Sequence, residues 1–204
     1  MTLTPTLRAT LLLLFVSISA VAQSRSLAVY ADPPQGLDAE SNAAMRGELQ
    51  RLLAPAGLDI VWKTNSERRA GEDFELVVVA SFEGSCSSGS ASLPAAAASL
   101  ADTSITNGRI LPFLRVDCRR VVQMLGAHAG SSAVGRALGR VIAHEIYHIV
   151  ARTTDHHDTG VAKPVFSLRD LTNPRFEFDM WSLSRMRPAN VARVSDAADD
   201  AAGR

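Results

Sequence analysis

Two spacings of apolar residues alternate along the first third of the chain. Ser26–Ala31, Leu58–Lys63 and Phe74–Phe82 are short runs rich in apolar and β-branched residues. Each is bounded by proline, glycine or charged residues, which is the pattern of a strand. Phe74–Phe82, with Val77, Val78 and Val79 in succession, gives the strongest strand signal. Between the first two runs the period lengthens. Met45, Leu49, Leu52 and Leu53 recur at i, i+4, i+7 and i+8 and predict one face of a helix over Leu37–Leu53. Asp38 or Ser41 stands where a helix cap is needed, and Pro55 and Gly57 end the element. Trp62 reads as a core anchor of the second strand, and Asn65 to Asp73 as a tight charged turn. The order is β-α-β-β, which many folds share.

The pattern then lapses. Residues 83–108 carry Gly84-Ser-Cys-Ser-Ser-Gly-Ser90 and Pro94-Ala-Ala-Ala-Ala98, without a usable period, and read as a loop. Gly108–Asp117 returns as a strand, and its Pro112 argues for a sheet edge, because proline cannot donate to a ladder. Cys118–Leu125 reads as a short helix and Gly126–Gly130 as a turn. A long helix follows from a serine cap at Ser131 or Ser132 to Arg152. Gly135 and Gly139 lie inside it, each costing about 1 kcal/mol relative to alanine, so they either permit close packing against the sheet or are incidental. Thr153–Gly160 turns the chain back, Ser167–Leu171 is a short helix, and Phe176 to Leu183 pack as a last strand or helix.

The two ends set the domain limits. Residues 1–22 combine Arg8, the apolar run Leu11–Ala20 and the small-residue site Ala20-Val-Ala22, the pattern of a secretory signal peptide. That run is too short to span a bilayer. The expected organisation is a signal peptide over 1–22, one domain over 23–184 and a disordered polar tail over 185–204. The expected location is secreted or periplasmic, without stable membrane insertion. Twenty-one basic residues balance 21 acidic ones, and no basic stripe suggests nucleic acid as a partner. In an oxidising compartment Cys86 and Cys118 read as a disulfide, worth about 3–4 kcal/mol on a chain-entropy argument.

The chemistry concentrates in one stretch. His144-Glu-Ile-Tyr-His148 matches H-E-x-x-H, inside the apolar helical run Leu138, Val141, Ile142, Ile149, Val150. Residues i and i+4 lie about 40° apart around a helix axis, so His144 and His148 can reach one ion. Glu145 lies on the flank of that face, within reach of a water at the ion rather than of the ion itself. Zinc in a catalytic site takes three protein ligands and leaves a position for water. A buried helix carrying these three side chains without an ion would hold three polar groups in need of partners. His156 and His157 follow soon after, and His128 reads as a surface residue. Tyr147 faces away from the histidines and reads as packing rather than as an oxyanion donor.

The segment His144-Glu145-x-x-His148-x7-His156-x3-Gly160-Val161 resembles the zincin metallopeptidases, and within them the metzincin-like branch. It is most similar to an uncharacterised group of secreted bacterial H-E-x-x-H proteins. It differs from the main metzincin pattern, with Ala151 and Thr154 where that pattern has glycine and the third histidine, and it lacks an evident Met-turn. The resemblance implies an α+β zincin-like domain, a small mixed sheet packed on helices with the H-E-x-x-H helix at the active site. It implies Zn2+ held by His144, His148 and His156, Glu145 as general base, and hydrolysis of a protein or peptide substrate. It places the third ligand four residues before Gly160, at His156; His157, Asp155, Asp158 and Asp170 are the alternatives. Asp155 and Asp158 are also candidates to orient a ligand imidazole. The rival functions are a zinc-binding module without turnover and a zinc hydrolase of an amide outside proteins.

Overall fold

A computed structural model describes residues 24–87 and 99–187. The expected signal peptide and most of the expected tail lie outside these residues. The described chain is a mixed α/β domain around one five-stranded sheet. Strands β1 (Arg25–Tyr30), β2 (Leu58–Lys63), β3 (Leu76–Glu83), β4 (Ala101–Thr106) and β5 (Arg109–Asp117) lie in the order β2-β1-β3-β5-β4. β1 pairs parallel with both β2 and β3, and β3 pairs parallel with β5. Only β4 runs antiparallel, against β5.

Helix α1 (Ala39–Leu53) crosses from β1 to β2. Asp38 caps it, accepting from the Ser41 amide at 2.7 Å, and a 3-10 turn over Ala54–Ala56 follows it and ends at Gly57, with φ at +75°. Its apolar face, Met45, Leu49, Leu52 and Leu53, is buried against the sheet and the helices. Helices α2 (Cys118–Leu125), α3 (Ser131–Ala151), α4 (Leu168–Thr172) and α5 (Met180–Met186) follow β5. Alternation along the strands shows which face the helices cover. Val78, Ala80, Leu114 and Val116 are buried, whereas Val77 and Phe113, on the other face, are 40% and 47% exposed.

The sheet edge differs from expectation. Pro112 lies in β5, which has neighbours on both sides, and the edge on that side is β4. The proline is tolerated because the β4–β5 register shifts between Thr103 and Ile105, leaving it in a bulge. β4 itself falls in the stretch read as loop. A hairpin at Asn107-Gly108 joins it to β5, with φ of +51° and +73°, as a type I′ turn requires.

Helix α3 runs through the centre of the domain, and its packing differs from expectation in two ways. No side chain caps it at Ser131 or Ser132; Gly130 is the cap residue, and Ser131 instead donates to Asp38 at 2.6 Å. Gly135 and Gly139 meet α1 rather than the sheet. A Cβ at Gly135 would lie 2.1 Å from the Ser41 carbonyl oxygen, and one at Gly139 2.7 Å from that of Met45. A buried charge fastens the same interface. Arg140, fully buried, donates from Nε to Glu48 of α1 at 2.7 Å and from Nη1 to the Asp170 carbonyl at 2.7 Å. Removing one partner of such a pair costs about 3–5 kcal/mol.

Cys86 and Cys118 form a disulfide, which ties the segment after β3 to the start of α2. Among the described residues no helix is long and apolar enough to cross a membrane. The fold continues to Met186, two residues into the expected tail: its side chain is buried and its carbonyl accepts from Arg25.

Candidate metal centre

Three histidines converge where α3 meets the returning chain. His144 and His148 are one turn apart on α3, and His156 stands on the segment that follows. Ligand atoms of all three lie within 4.8 Å of one another, so the group can hold a metal ion. Arg152 makes the sharp exit from the helix, in the left-handed region at φ +50°. That exit folds residues 153–162 back over the helix end. Gly160, at φ +68°, lets the chain pass close to the 177–179 segment; a Cβ there would lie 2.5 Å from the Glu177 carbonyl oxygen. Val161 donates its amide to that oxygen at 3.1 Å.

The backbone of this return fixes the histidines. His144 Nδ1 lies 2.7 Å from the Val161 carbonyl oxygen, and His148 Nδ1 lies 2.8 Å from that of Thr153. A carbonyl only accepts, so both Nδ1 atoms carry the hydrogen and both Nε2 atoms carry lone pairs. Those two Nε2 atoms face each other at 3.1 Å. Two lone pairs held that close repel unless a cation lies between or beside them. Burial also favours neutral rings: it drives the His144 pKa down to about 4 and lowers that of His148. Neutral imidazoles with the far nitrogen anchored are what a metal requires of its histidine ligands. The anchors are main-chain carbonyls; Asp155 and Asp158 do not supply them.

The other candidates lie apart. His157 turns away, with Nδ1 3.1 Å from Asp179 and its ring stacked on Trp181 at 5.2 Å. Asp170 is bonded to Lys163 and Ser167. His128 is exposed on the turn before α3. Among the described residues, His144, His148 and His156 make up the cluster of histidine, cysteine or carboxylate side chains close enough to share an ion. Tyr147 is fully buried, its ring packed near Phe178 and its hydroxyl without a hydrogen-bond partner.

Glu145 lies beside the cluster, 5% exposed. Burial raises its pKa to about 7, against the pull of a hydrogen bond from Thr103. That bond, from Thr103 Oγ1 to Glu145 Oε2, is 2.7 Å long. Thr103 falls in the stretch whose pattern predicts a loop, so sequence reasoning misses it; the Asn107-Gly108 hairpin signal is the available clue. A cavity of about 460 Å3 opens beside His144 and Glu145. Leu100, Met124, Val141, Val165 and Phe166 supply apolar walls, and Lys163 also lines it. Phe166 meets His144 edge to face, with ring centroids 5.4 Å apart.

No model of a protein family matches the chain, and no curated protein matches its sequence.

Proposed function

We propose that this protein is a secreted, zinc-dependent metallopeptidase of zincin-like architecture. The observation that carries the reading is the pair of facing Nε2 lone pairs, held by committed Nδ1 hydrogens, with a buried carboxylate on the adjacent residue. The donor set suits zinc: three imidazoles would leave a four-coordinate ion one position for water. When bound, zinc polarises a substrate carbonyl and lowers the pKa of a coordinated water to about 7.

The residues of the chain supply the rest. His144, His148 and His156 hold the ion, with the first two fixed by the Val161 and Thr153 carbonyls. Glu145 takes a proton from the attacking water and returns it to the leaving amine nitrogen, while the water oxygen bonds to the carbonyl carbon and the C–N bond breaks. A carboxylate with a pKa near the working pH suits both transfers. The 460 Å3 cavity beside Glu145 accepts a side chain next to the bond being cut. The β4 edge has no further strand beyond it among the described residues, and a free edge can pair with an extended peptide. This substrate geometry favours a peptide over a small amide. Export fits a domain with a disulfide and, among the described residues, no spanning helix.

The test is hydrolysis of an unstructured protein such as labelled casein by the zinc-loaded protein. Glu145→Gln is expected to retain zinc and lose roughly 10²–10⁴-fold in rate. Equal rates for the two proteins would remove Glu145 from the mechanism. Absence of hydrolysis in both, with zinc bound, would favour a binding module.

A further inference from the structure

We propose that Thr103 is a positioning residue for Glu145, holding one oxygen of the buried carboxylate from the edge strand so that the other faces the reacting water. The proposal rests on the reading of Glu145 as the base.

Three observations carry it. First, the bond is short, and toward an ionised carboxylate, which only accepts, the hydroxyl is the donor. The Thr103 hydroxyl has a single hydrogen and two acceptors in reach, Glu145 Oε2 at 2.7 Å and the Glu145 backbone carbonyl at 3.4 Å. The shorter contact, to the carboxylate, takes it. Second, the donor stands on a stiff support. A threonine is restricted at χ1, and Thr103 is held by pairing with Leu114 of β5, whose side chain is buried in the core. Glu145, by contrast, has a long side chain with several open rotamers on a helix. Third, Glu145 is 5% exposed, and the side chain that hydrogen-bonds its carboxylate is Thr103. With Oε2 committed to Thr103, Oε1 is the oxygen free to accept a proton. The edge strand available to an extended substrate is therefore also the strand that holds the base.

The test uses the zinc-loaded full-length protein and needs no turnover. Acetohydroxamate chelates zinc through two oxygens and gives its acidic proton to a carboxylate beside the metal, so its affinity reports where Glu145 points. Calorimetric titration of wild type, Thr103→Val, Thr103→Ser and Glu145→Gln with acetohydroxamate compares the four. Valine keeps the shape of threonine without the hydroxyl, and serine keeps the hydroxyl alone. Thr103→Val is expected to keep one zinc and bind about tenfold more weakly, the loss expected of one hydrogen bond to a charged group, with Thr103→Ser within about threefold of wild type. On a substrate the wild type cleaves, kcat is expected to fall in Thr103→Val with KM little changed. Wild-type affinity in Thr103→Val together with a loss in Glu145→Gln would overturn the proposal and leave the base assignment standing. Equal losses in the valine and serine variants would also overturn it, since the hydroxyl would then not matter. No loss in Glu145→Gln would remove both assignments. Wild-type protein that binds the hydroxamate as expected but cleaves nothing would sink the peptidase reading and leave the role of Thr103 intact.

Discussion

Glu145→Gln should stabilise the metal-free protein at neutral and higher pH. The reason is the environment of the carboxylate. Glu145 is 5% exposed, and burial raises its pKa from 4.5 to about 7. The sign follows from proton linkage. Between these values the folded state binds more protons at this group than the unfolded state does, so stability falls as pH rises from about 4.5 to about 7. Above that range the penalty is complete, and below it the group is neutral in both states. A shift of this size corresponds to about 3 kcal/mol at its ceiling. Glutamine has nearly the same shape, carries no charge and still offers an oxygen to the Thr103 hydroxyl. The histidines are common to both proteins, so their titration cancels to first order in the difference. The assay is urea unfolding of both proteins with chelator present, at a series of pH values from 4.5 to 8.5. The expected result is a difference near zero at the acid end that grows to about 2–3 kcal/mol in favour of the glutamine variant at pH 8. A difference that does not change with pH, or a variant less stable at pH 8, would refute the claim that a desolvated carboxylate waits beside the histidines.

Three further outcomes follow from the packing and the site. Gly135→Ala should destabilise the protein by about 1–3 kcal/mol or more despite better helix propensity, and more than Gly139→Ala, since the new Cβ at Gly135 meets a backbone oxygen at 2.1 Å rather than 2.7 Å; chemical denaturation of both variants checks the order. His156→Ala should weaken zinc affinity severely, whereas His157→Ala, which removes a contact to Asp179 and Trp181, should cost about 10–100-fold or less; competition with a chromogenic chelator ranks them, and the reverse order would move the ligand to His157. Replacing Cys86 and Cys118 together by serine should lower stability by about 3–4 kcal/mol on the chain-entropy model, and non-reducing peptide mapping of the parent should recover the joined peptides.

The elements easiest to read were those with large apolar residues at a regular period. Leu58–Lys63 and Cys118–Leu125 end where the pattern places them, and α1 lies within the predicted span. The disulfide was legible from compartment and count. β4 was not, because Ala101 is its one buried residue, Ile105 is 51% exposed, and the strand follows a stretch rich in alanine and serine. Without bulky apolar residues the alternation fades, and the Asn107-Gly108 turn was the remaining signal. Missing β4 made β5 look like the edge, and Pro112 reinforced that error because a bulge is not visible in one strand alone. At the site, helical spacing was enough to bring His144 and His148 together. Placing His156 with them depended on the resemblance, since the turn geometry at Arg152 and Gly160 sets the direction of the chain. The anchoring carbonyls of Thr153 and Val161 leave no trace in sequence, as any residue type offers a carbonyl. Close packing at Gly135 and Gly139 was legible but its partner was not: the expected neighbour was the sheet and the observed one is α1, because a glycine in a helix does not say which neighbour comes close.

The most direct test of the metal centre is zinc stoichiometry. Protein stripped with chelator, reloaded with zinc and exchanged into metal-free buffer should carry one zinc ion per chain by elemental analysis and native mass spectrometry, and His148→Ala prepared in the same way should carry none. A wild-type chain that retains no zinc, or a His148→Ala variant that retains as much as wild type, would contradict the account.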